Sequence, residues 1–595
     1  MAADPICTAL HVTARDGVRI AVDVWRPAEL AAGARIGTVL RATRYHRANE
    51  GDGVTDEARR WTGWGYALVL VDARGSGASF GSRTAEWSPA ELDDYGDVLD
   101  WIAAQPWSNG RVGAYGHSYD ANAAELLATL GHPSLRAVAP LFGDYDAYED
   151  LIRPGGLENR TMLESWMHMT RALDGIAGAR EELDRLPHAT ALDVVDVKPV
   201  DGPDGPALRA AAIAEHQANV DLRAASTAMP FKDDRIGEWG WEERSPFRHR
   251  RAAEAAGVPM LVAAGWFDAG TANGALARFL SLDVPIDVYI GAWNHGANFT
   301  CDPFAAPDQR GAFEEPQLLE RVRELFDRHV QRDEPPRPGR RLHYVALGDP
   351  RWRSSEQWPL PGTASDRWYL RAAGGLTPEP PDDDGPDAVD AHRPDPRASA
   401  GSESRWGTQV TGGGNVVYPD RAREDRRLST CTSAPLDRDL HVAGVATLDL
   451  TLSASRSDAS LIAYLEDVAP DGRVTYLTEG HLRLLCRAVA DEQVPHRRLR
   501  TPRTFARADS RPMVPGRVER VRLDLIAVVA TVRAGHRLRI AIAGADASHV
   551  AQLPPDGDVL LTIHRGAAQP SWLELPTVPE LPGPATMVPT AGGAR

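Results

Sequence analysis

Residues 110–130, GRVGAYGHSYDANAAELLATL, contain an apolar segment that ends at a glycine and a serine and continues as a helix-forming stretch. This order predicts a buried strand, a sharp turn at Ser118 and a helix, the arrangement of a nucleophile elbow with the pattern G-x-S-x-G. Gly116 and Ser118 fit the pattern, whereas Asp120 occupies the position of the last glycine. The stretch therefore makes Ser118 either a catalytic nucleophile or a serine in an ordinary turn.

The regions on both sides of this stretch alternate between strand and helix patterns. Apolar residues recur at helical spacing between residues 91 and 104, as they do along one face of an amphipathic helix. Short apolar runs predict further strands at 36–45, 66–81, 135–143, 258–268 and 286–295. Strands that alternate with helices in short steps indicate an α/β fold with a parallel sheet covered on both faces.

Segments without this alternation of strands and helices form further parts of the chain. We predict an α/β core at 1–144 and 247–330, interrupted at 145–246 by a helical insertion rich in aromatic residues and methionines. The alternative is that 145–246 adds helical layers to the same domain. A Pro- and charge-rich linker follows at 331–341, and period-two alternation across 342–595 predicts an antiparallel β-sandwich.

Composition limits the classes of function. The chain has 595 residues, more than one core usually supports, and its net charge of −17 disfavours nucleic acid or an anionic membrane as a partner. Its four cysteines form no C-x-x-C pair, so we expect neither a disulfide framework nor a structural zinc site. No signal peptide or membrane-spanning run is apparent. We expect a cytoplasmic enzyme without metal or organic cofactor. The sequence leaves open whether the chain forms a homodimer.

Three reactive residues follow predicted strands. Ser118, Asp268 and His295 each lie where the carboxyl end of a strand is predicted, which is where sites form in a parallel sheet. A serine hydroxyl needs an imidazole to take its proton, and the imidazole needs a carboxylate to orient it. The chain order Ser, Asp, His is that of α/β-hydrolases. We therefore predict a catalytic triad.

An oxyanion hole must accompany such a triad. The backbone N–H of Tyr119, the residue after the nucleophile, supplies one donor. The hydroxyl of Tyr45 at the end of an earlier strand is the predicted second donor, although packing at a strand end would equally explain this tyrosine. Aromatic residues, a histidine and a methionine near these positions are candidates for the substrate pocket, with core packing as the alternative: His117, Trp166, Met169, Trp266 and Trp293.

The combined motifs resemble the CocE/NonD family of cocaine esterases and X-prolyl dipeptidyl-peptidases. The family's elbow reads G-x-S-Y-x-G, which Gly116, Ser118 and Tyr119 match, while Ala121 stands in place of the last glycine. GWFD at 265–268 and GAWNH at 291–295 resemble the family's acid and base motifs, and Tyr45 matches its oxyanion tyrosine. Further similarity at 101–113, 241–246 and 432–444 extends the resemblance over nearly the whole chain.

The resemblance implies an α/β-hydrolase core, a helical cap and a C-terminal jelly roll. It also implies cleavage of an ester or amide bond of a small molecule. An acyltransferase, an X-Pro dipeptidyl-peptidase and a non-catalytic binding protein remain as alternatives. Peptidase activity of this kind needs acids that hold an ammonium group, and the insertion offers Glu164, Asp233, Asp234 and Glu238.

Overall fold

The computed structural model describes residues 3–584 except 187–193, 238, 306–314, 383–387, 411–413, 493, 495 and 497–499. Its first sheet has ten strands in the order β1-β2-β4-β3-β5-β6-β7-β8-β9-β10. Their bounds are β1 Ile6–Thr13, β2 Arg19–Arg26, β3 Ile36–Thr43, β4 Ala67–Asp72, β5 Ser108–His117, β6 Leu135–Leu141, β7 Met260–Gly265, β8 Ile286–Gly291, β9 Arg340–Ala346 and β10 Asp349–Ser355.

The central strands of this sheet are parallel. β4, β3, β5, β6, β7, β8 and β9 follow one another in parallel pairs, while β1, β2 and β10 pair antiparallel at the two edges. Every residue of β4 and β7 is buried, because helices cover both faces of a parallel sheet. Helices associated with this sheet are α1 Asp56–Gly63, α2 Pro89–Ala104, α3 Tyr119–Ala128, α8 Arg250–Ala256, α9 Thr271–Ser281 and α10 Glu315–Phe326.

A largely helical segment separates β6 from β7. It contains α4 Met167–Leu173, α5 Ala179–Leu183, α6 Gly205–His216 and α7 Leu222–Ala228, and a two-stranded hairpin joins Arg235–Ile236 to Trp239–Gly240. Shorter helical turns lie at Tyr148–Ile152, Pro154–Gly156, Met162–Trp166 and Pro246–His249. This segment covers the range 145–246, whose role as an insertion stays a prediction.

A second sheet of thirteen strands follows. Its strands are β11 Ala364–Arg371, β12 Gly375–Thr377, β13 Val389–His392, β14 Ser429–Ser433, β15 Leu440–Gly444, β16 Thr447–Ala454, β17 Ser460–Val468, β18 Val474–Arg483, β19 Glu519–Asp524, β20 Val528–Val532, β21 Arg537–Ala543, β22 Leu561–His564 and β23 Trp572–Val578. All its pairs are antiparallel except β12 with β14.

This sheet carries few helical elements. They are the short helix α11 Gly407–Val410 and turns at Ala372–Gly374, Arg421–Arg427, Leu484–Cys486 and Arg507–Asp509. Val521 and Leu523 are buried on one face of β19, while Arg522 between them is half-buried. The period-two pattern therefore predicted this sheet correctly.

Two strands differ from the predicted division of the chain. β9 begins at the end of the predicted linker 331–341 and β10 follows it, but both strands extend the first sheet, because β9 pairs in parallel with β8 and antiparallel with β10. A helical turn at Asp327–Gln331 ends at the first residue of the predicted linker. The β-rich region therefore starts its own sheet at β11, later than the boundary at 342 that the composition suggested, and the domain boundaries themselves stay a prediction.

None of the helices in the described ranges is both long and apolar enough to cross a membrane.

Candidate active site

The turn at Ser118 has the geometry of a nucleophile elbow. Ser118 connects β5 to α3 with φ 63° and ψ −121°, a conformation that costs a non-glycine residue about 1–3 kcal/mol and is concentrated at functional sites. A Cβ at Gly116 would lie 2.3 Å from the backbone carbon of Asp120. Only glycine fits there, so the sharp turn requires the first glycine of the motif.

The position after Asp120 shows how the chain accommodates its departure from the family motif. Ala121 is fully buried, and a Cβ added at Gly143 would lie 3.0 Å from the Ala121 methyl group. The absence of a side chain at Gly143 leaves room for that methyl group. Asp120 accepts a hydrogen bond from Arg41 at 3.0 Å, and burial raises the pKa of Asp120 to about 6 although Arg41 opposes the shift.

The predicted acid and base lie in direct contact. Asp268 follows β7 and His295 follows β8, and Nδ1 of His295 lies 2.9 Å from Oδ1 of Asp268. Both side chains are buried, and the Thr271 hydroxyl donates to Oδ2 of Asp268 at 2.9 Å. A carboxylate held in this way fixes which ring nitrogen carries the proton and leaves Nε2 as the acceptor.

The Ser118 hydroxyl interacts with the hydroxyl of Tyr45. Within the described ranges no hydrogen bond joins Ser118 to His295. The indole N–H of Trp166 donates to the Tyr45 hydroxyl at 2.9 Å, so the proton of Tyr45 is directed elsewhere. Burial raises the pKa of Tyr45 well above its ordinary value, and the phenol stays protonated and able to donate.

Tyr119 presents its backbone and its side chain in different directions. It is the first residue of α3, and the first N–H groups of a helix have no partner within the helix. Its hydroxyl donates to Glu91 at 2.5 Å, and its ring stacks on Trp87 with centroids 4.5 Å apart. These contacts hold the ring and occupy the hydroxyl, so only the backbone N–H of Tyr119 is left for the predicted role in an oxyanion hole.

A small cavity opens beside Ser118. Tyr45, Tyr119 and the predicted pocket residue Trp166 line it. The sequence did not single out the other lining residues, which come from the loop before α2, the loop after β6, the helical segment and α11: Trp87, Phe142, Asp144, Leu151, Ile152, Met162, Arg244 and Gln409. Arg244 lies in the stretch 241–246 that resembles the family, but nothing in the sequence marks it or the others as lining residues, so their positions in space identify them.

The remaining pocket candidates lie outside the lining of this cavity. The His117 side chain is exposed, and its ring centroid lies 4.3 Å from that of His295. Trp266 donates to the Val345 carbonyl at 2.8 Å, and the buried Trp293 packs against Trp352. Met169 packs among the small apolar residues around α5. His117 thus adjoins the acid–base pair, and the other three fill the protein interior.

The acids considered for ammonium binding do not line the cavity either. Asp234 forms an ion pair with Arg507 at 2.6 Å, and Asp233 accepts from the Arg507 backbone N–H at 2.7 Å. Glu164 lies 3.6 Å from Arg160 on the surface. Glu238 lies outside the described residues.

One group of side chains has the composition of a metal site. Glu479, His481 and His549 are buried together in the β-rich region. The two Nε2 atoms of the histidines lie 3.2 Å apart, and Asp546 lies 3.3 Å from Nδ1 of His549. Burial opposes the charged imidazole, but the Asp546 carboxylate raises the pKa of His549 above its ordinary value. A hydrogen-bonded network accounts for these contacts.

Comparison with known proteins agrees with this architecture. Residues 16–297 match the X-Pro dipeptidyl-peptidase (S15 family) model, and residues 329–574 match the X-Pro dipeptidyl-peptidase C-terminal non-catalytic domain. A Mycobacterium bovis protein designated a serine esterase, Mb1866c, is 37% identical over 96% of this chain and 95% of its own length. Cocaine esterase of a Rhodococcus species is 26% identical over 96% of this chain and 98% of its own length.

A crystal structure of a CocE/NonD family hydrolase from Staphylococcus aureus shares the fold. Its TM-score is 0.69 at 18% identity, over 96% of this chain and 93% of that one. Fold and relatives together define a serine hydrolase with an α/β-hydrolase core and a separate C-terminal β-rich domain. The chain belongs to the CocE/NonD family, which includes the X-Pro dipeptidyl-peptidases, and the resemblance seen in the sequence is confirmed.

Proposed function

We propose that the chain cleaves an ester or amide bond of a small molecule through an acyl-enzyme intermediate on Ser118. His295 takes the proton of the Ser118 hydroxyl as the hydroxyl attacks the acyl carbonyl, and Asp268 orients the imidazole and stabilises its charged form. The protonated His295 then gives its proton to the leaving alcohol or amine. Water, deprotonated by the same histidine, releases the acid and restores the serine.

The oxyanion that develops during the attack needs two donors. The Tyr45 hydroxyl and the Tyr119 N–H are the proposed pair. Trp166 supports this role because its N–H donates to the oxygen of the Tyr45 hydroxyl. The phenolic proton of Tyr45 therefore points away from Trp166. Donors that are oriented before the reaction do not have to reorganise during it, which is the main source of such stabilisation.

The contact of 2.9 Å between His295 and Asp268 carries the proposal. It brings together two residues from different strands, beside a serine in a strained turn. The attack requires the Ser118 hydroxyl to turn from Tyr45 to His295 by rotation about its Cα–Cβ bond. Such rotations are fast, and catalytic hydrogen bonds commonly tighten only when substrate binds.

The finer architecture belongs to the same proposal. The segment 145–246 would act as a helical cap, since Leu151, Met162 and Arg244 line the cavity from it. The C-terminal β-rich region would form a jelly roll. A cytoplasmic location and a homodimer stay predictions from the sequence.

Transfer of the acyl group to an alcohol or amine is the main alternative, because the same intermediate serves both reactions. Product analysis with and without an added amine separates hydrolysis from transfer. A comparison of p-nitrophenyl esters with X-Pro anilides separates esterase from dipeptidyl-peptidase activity.

Active-site labelling tests the nucleophile. A fluorophosphonate probe should label the wild-type protein on Ser118, and Ser118→Ala should lose both labelling and ester turnover. Ser402→Ala removes an exposed serine and should retain both. Labelling of Ser118→Ala at the wild-type level would end the proposal.

A further inference from the structure

The cavity beside Ser118 has an unusual wall for a pocket that takes a simple hydrocarbon group. Aromatic and aliphatic side chains form most of it, but Asp144, Arg244 and Gln409 also line it. These three are 8%, 2% and 8% exposed, so each is at least nine-tenths buried. An apolar acyl group gains nothing from such neighbours, because burying polar groups without partners costs free energy.

Each of these side chains has polar atoms without a partner in the described protein. They are Oδ2 of Asp144, Nε and Nη1 of Arg244, and Oε1 of Gln409. A buried donor or acceptor left unpaired costs free energy, so several of them on one wall favour a ligand that pairs them. Three such side chains on one cavity wall, next to the proposed nucleophile, indicate a place where a ligand supplies the missing partners.

Three separate parts of the chain supply these groups. Asp144 follows β6, Arg244 lies in the turn after the two-stranded hairpin, and Gln409 lies in α11 of the C-terminal region. α11 packs against the turn Met162–Trp166, which itself reaches Tyr45. The C-terminal region thus contributes a side chain to the cavity directly.

The charges around Arg244 fix what it can bind. Its Nη2 pairs with Glu86 at 2.6 Å, and Glu86 also pairs with Arg44 at 3.3 Å. Asp174 pairs with Arg44 and with Arg83. The Arg244 guanidinium carries a positive charge, and an ammonium group placed beside its Nε and Nη1 atoms would be repelled.

Asp144 and Arg244 interact through their charges. Burial raises the pKa of Asp144 above its ordinary value, while Arg244, Arg278 and a hydrogen bond from the Asn122 side chain act to lower it. Within the described ranges no ion pair joins Asp144 to Arg244. A ligand group with an acceptor for Arg244 and a donor for Asp144 would bridge them.

Resting on the proposed function, we propose that this cavity selects substrates whose acyl group bears an uncharged amide. The amide carbonyl would accept from Arg244, and its N–H would donate to Asp144 or to Gln409, whose own carboxamide pairs with amides in both directions. A ketone satisfies only Arg244, and an alkyl group satisfies none of the three. The wall therefore ranks acyl groups as amide, ketone, alkyl, with an ammonium group disfavoured.

Three 4-nitrophenyl esters of matched size and one smaller ester test this order. The matched three are the esters of N-acetylglycine, 4-oxopentanoic acid and 4-methylpentanoic acid, and the smaller one is the glycine ester, which carries the ammonium group. Each kcat/KM is divided by the rate of the same ester with hydroxide. We expect the N-acetylglycine ester to exceed the 4-methylpentanoate at least 30-fold, because a site built for hydrogen bonds discriminates strongly against groups that lack them. The ketone should lie between them, and the glycine ester below the amide.

Variants locate the discrimination. Gln409→Met and Asp144→Asn should each lower the amide-to-alkyl ratio about 10-fold. Gln357→Met is the matched control. It makes the same glutamine-to-methionine change at an exposed position and should leave the amide-to-alkyl ratio unchanged. The ratio does not depend on the concentration of folded enzyme, so partial misfolding of a variant cannot imitate the effect.

The outcomes separate the two proposals. A wild-type ratio within 3-fold of unity, a preference for the glycine ester, or unchanged ratios in both variants would overturn the amide subsite. If the wild-type enzyme hydrolyses none of the four esters and the fluorophosphonate probe leaves Ser118 unlabelled, the proposed function itself fails.

Discussion

The strand ends and the cavity wall of this protein are built in opposite ways. Ser118 follows a central strand directly, Asp268 and His295 lie a few residues after the ends of two others, and short contiguous motifs carry all three. Asp144, Arg244 and Gln409 lie in loops or short helices, and no catalytic motif contains them. The first set is held by the sheet, and the second by packing between the sheet, the helical segment and the C-terminal region.

The difference separates reactivity from selection. Groups at parallel strand ends share one edge of the sheet, so the same geometry serves any acyl substrate. Groups on the wall depend on which loops meet, and they can change without disturbing the sheet. We therefore expect strand-end variants to affect every substrate alike and wall variants to affect only the ratio between substrates.

The largest effect is expected at Asp268. Asp268→Asn should lower kcat about 10⁴-fold on all ester substrates, because the amide favours the wrong tautomer of His295. The measurement is steady-state hydrolysis of both N-acetylglycine and 4-methylpentanoate esters. A loss of activity on only one of the two esters would contradict the proposed difference in role between the strand-end residues and the cavity wall.

The next largest effect is expected at Tyr45. Tyr45→Phe removes one oxyanion donor and should lower kcat about 10²–10³-fold with little change in KM. Pre-steady-state and steady-state rates on the same ester report kcat and KM separately. A change confined to KM would mean that Tyr45 only lines the cavity.

Trp166 sharpens the comparison because it lines the wall yet contacts Tyr45. Trp166→Phe should lower kcat about 10-fold, since the Tyr45 hydroxyl loses the N–H that orients it. In a Tyr45→Phe background the same change should have almost no effect on kcat. Additive losses in the double variant would show that Trp166 acts through packing and not through Tyr45.

The smallest effect concerns Asp120, which supports the elbow from within the protein. Its pKa is about 6 in the folded protein against 3.8 ordinarily, so the folded state takes up a proton between these values that the unfolded chain does not. This carboxylate therefore costs stability above pH 6, on the order of 3 kcal/mol, and the cost disappears toward pH 4.

Asp120→Asn should accordingly raise Tm by a few degrees at pH 7.5 and leave it nearly unchanged at pH 4.5. Arg41 keeps Glu57 as a partner at 3.0 Å in this variant. Thermal unfolding at the two pH values checks the prediction, and a lower Tm at pH 7.5 would show that the ion pair with Arg41 outweighs burial.

The sequence predicted most of the fold but not its boundaries. Apolar runs and their period predicted the parallel sheet and the later antiparallel one, because burial on two faces or on one face leaves different patterns. The same patterns did not assign β9 and β10 to the first sheet. The pairing of β9 with β8 is a contact between distant segments, which no local period records.

Of the residues that the sequence singled out for the candidate site, some line the cavity and others do not. Tyr45, Ser118 and Trp166 were singled out from the sequence and lie around one cavity. Met169, Trp266 and Trp293 were singled out by residue type and proximity in sequence, and they lie in the interior away from it. Residue type alone does not distinguish a large apolar side chain in a pocket from one in a core.

By itself the sequence determined the serine elbow and the family and predicted the reactive residues, because each depends on a few consecutive residues whose chemistry and backbone are local. Only the tertiary structure placed Asp144, Arg244 and Gln409 on one wall beside Ser118. Whether a polar atom lacks a partner depends on everything packed around it, and that surrounding comes from three parts of the chain that meet only after folding.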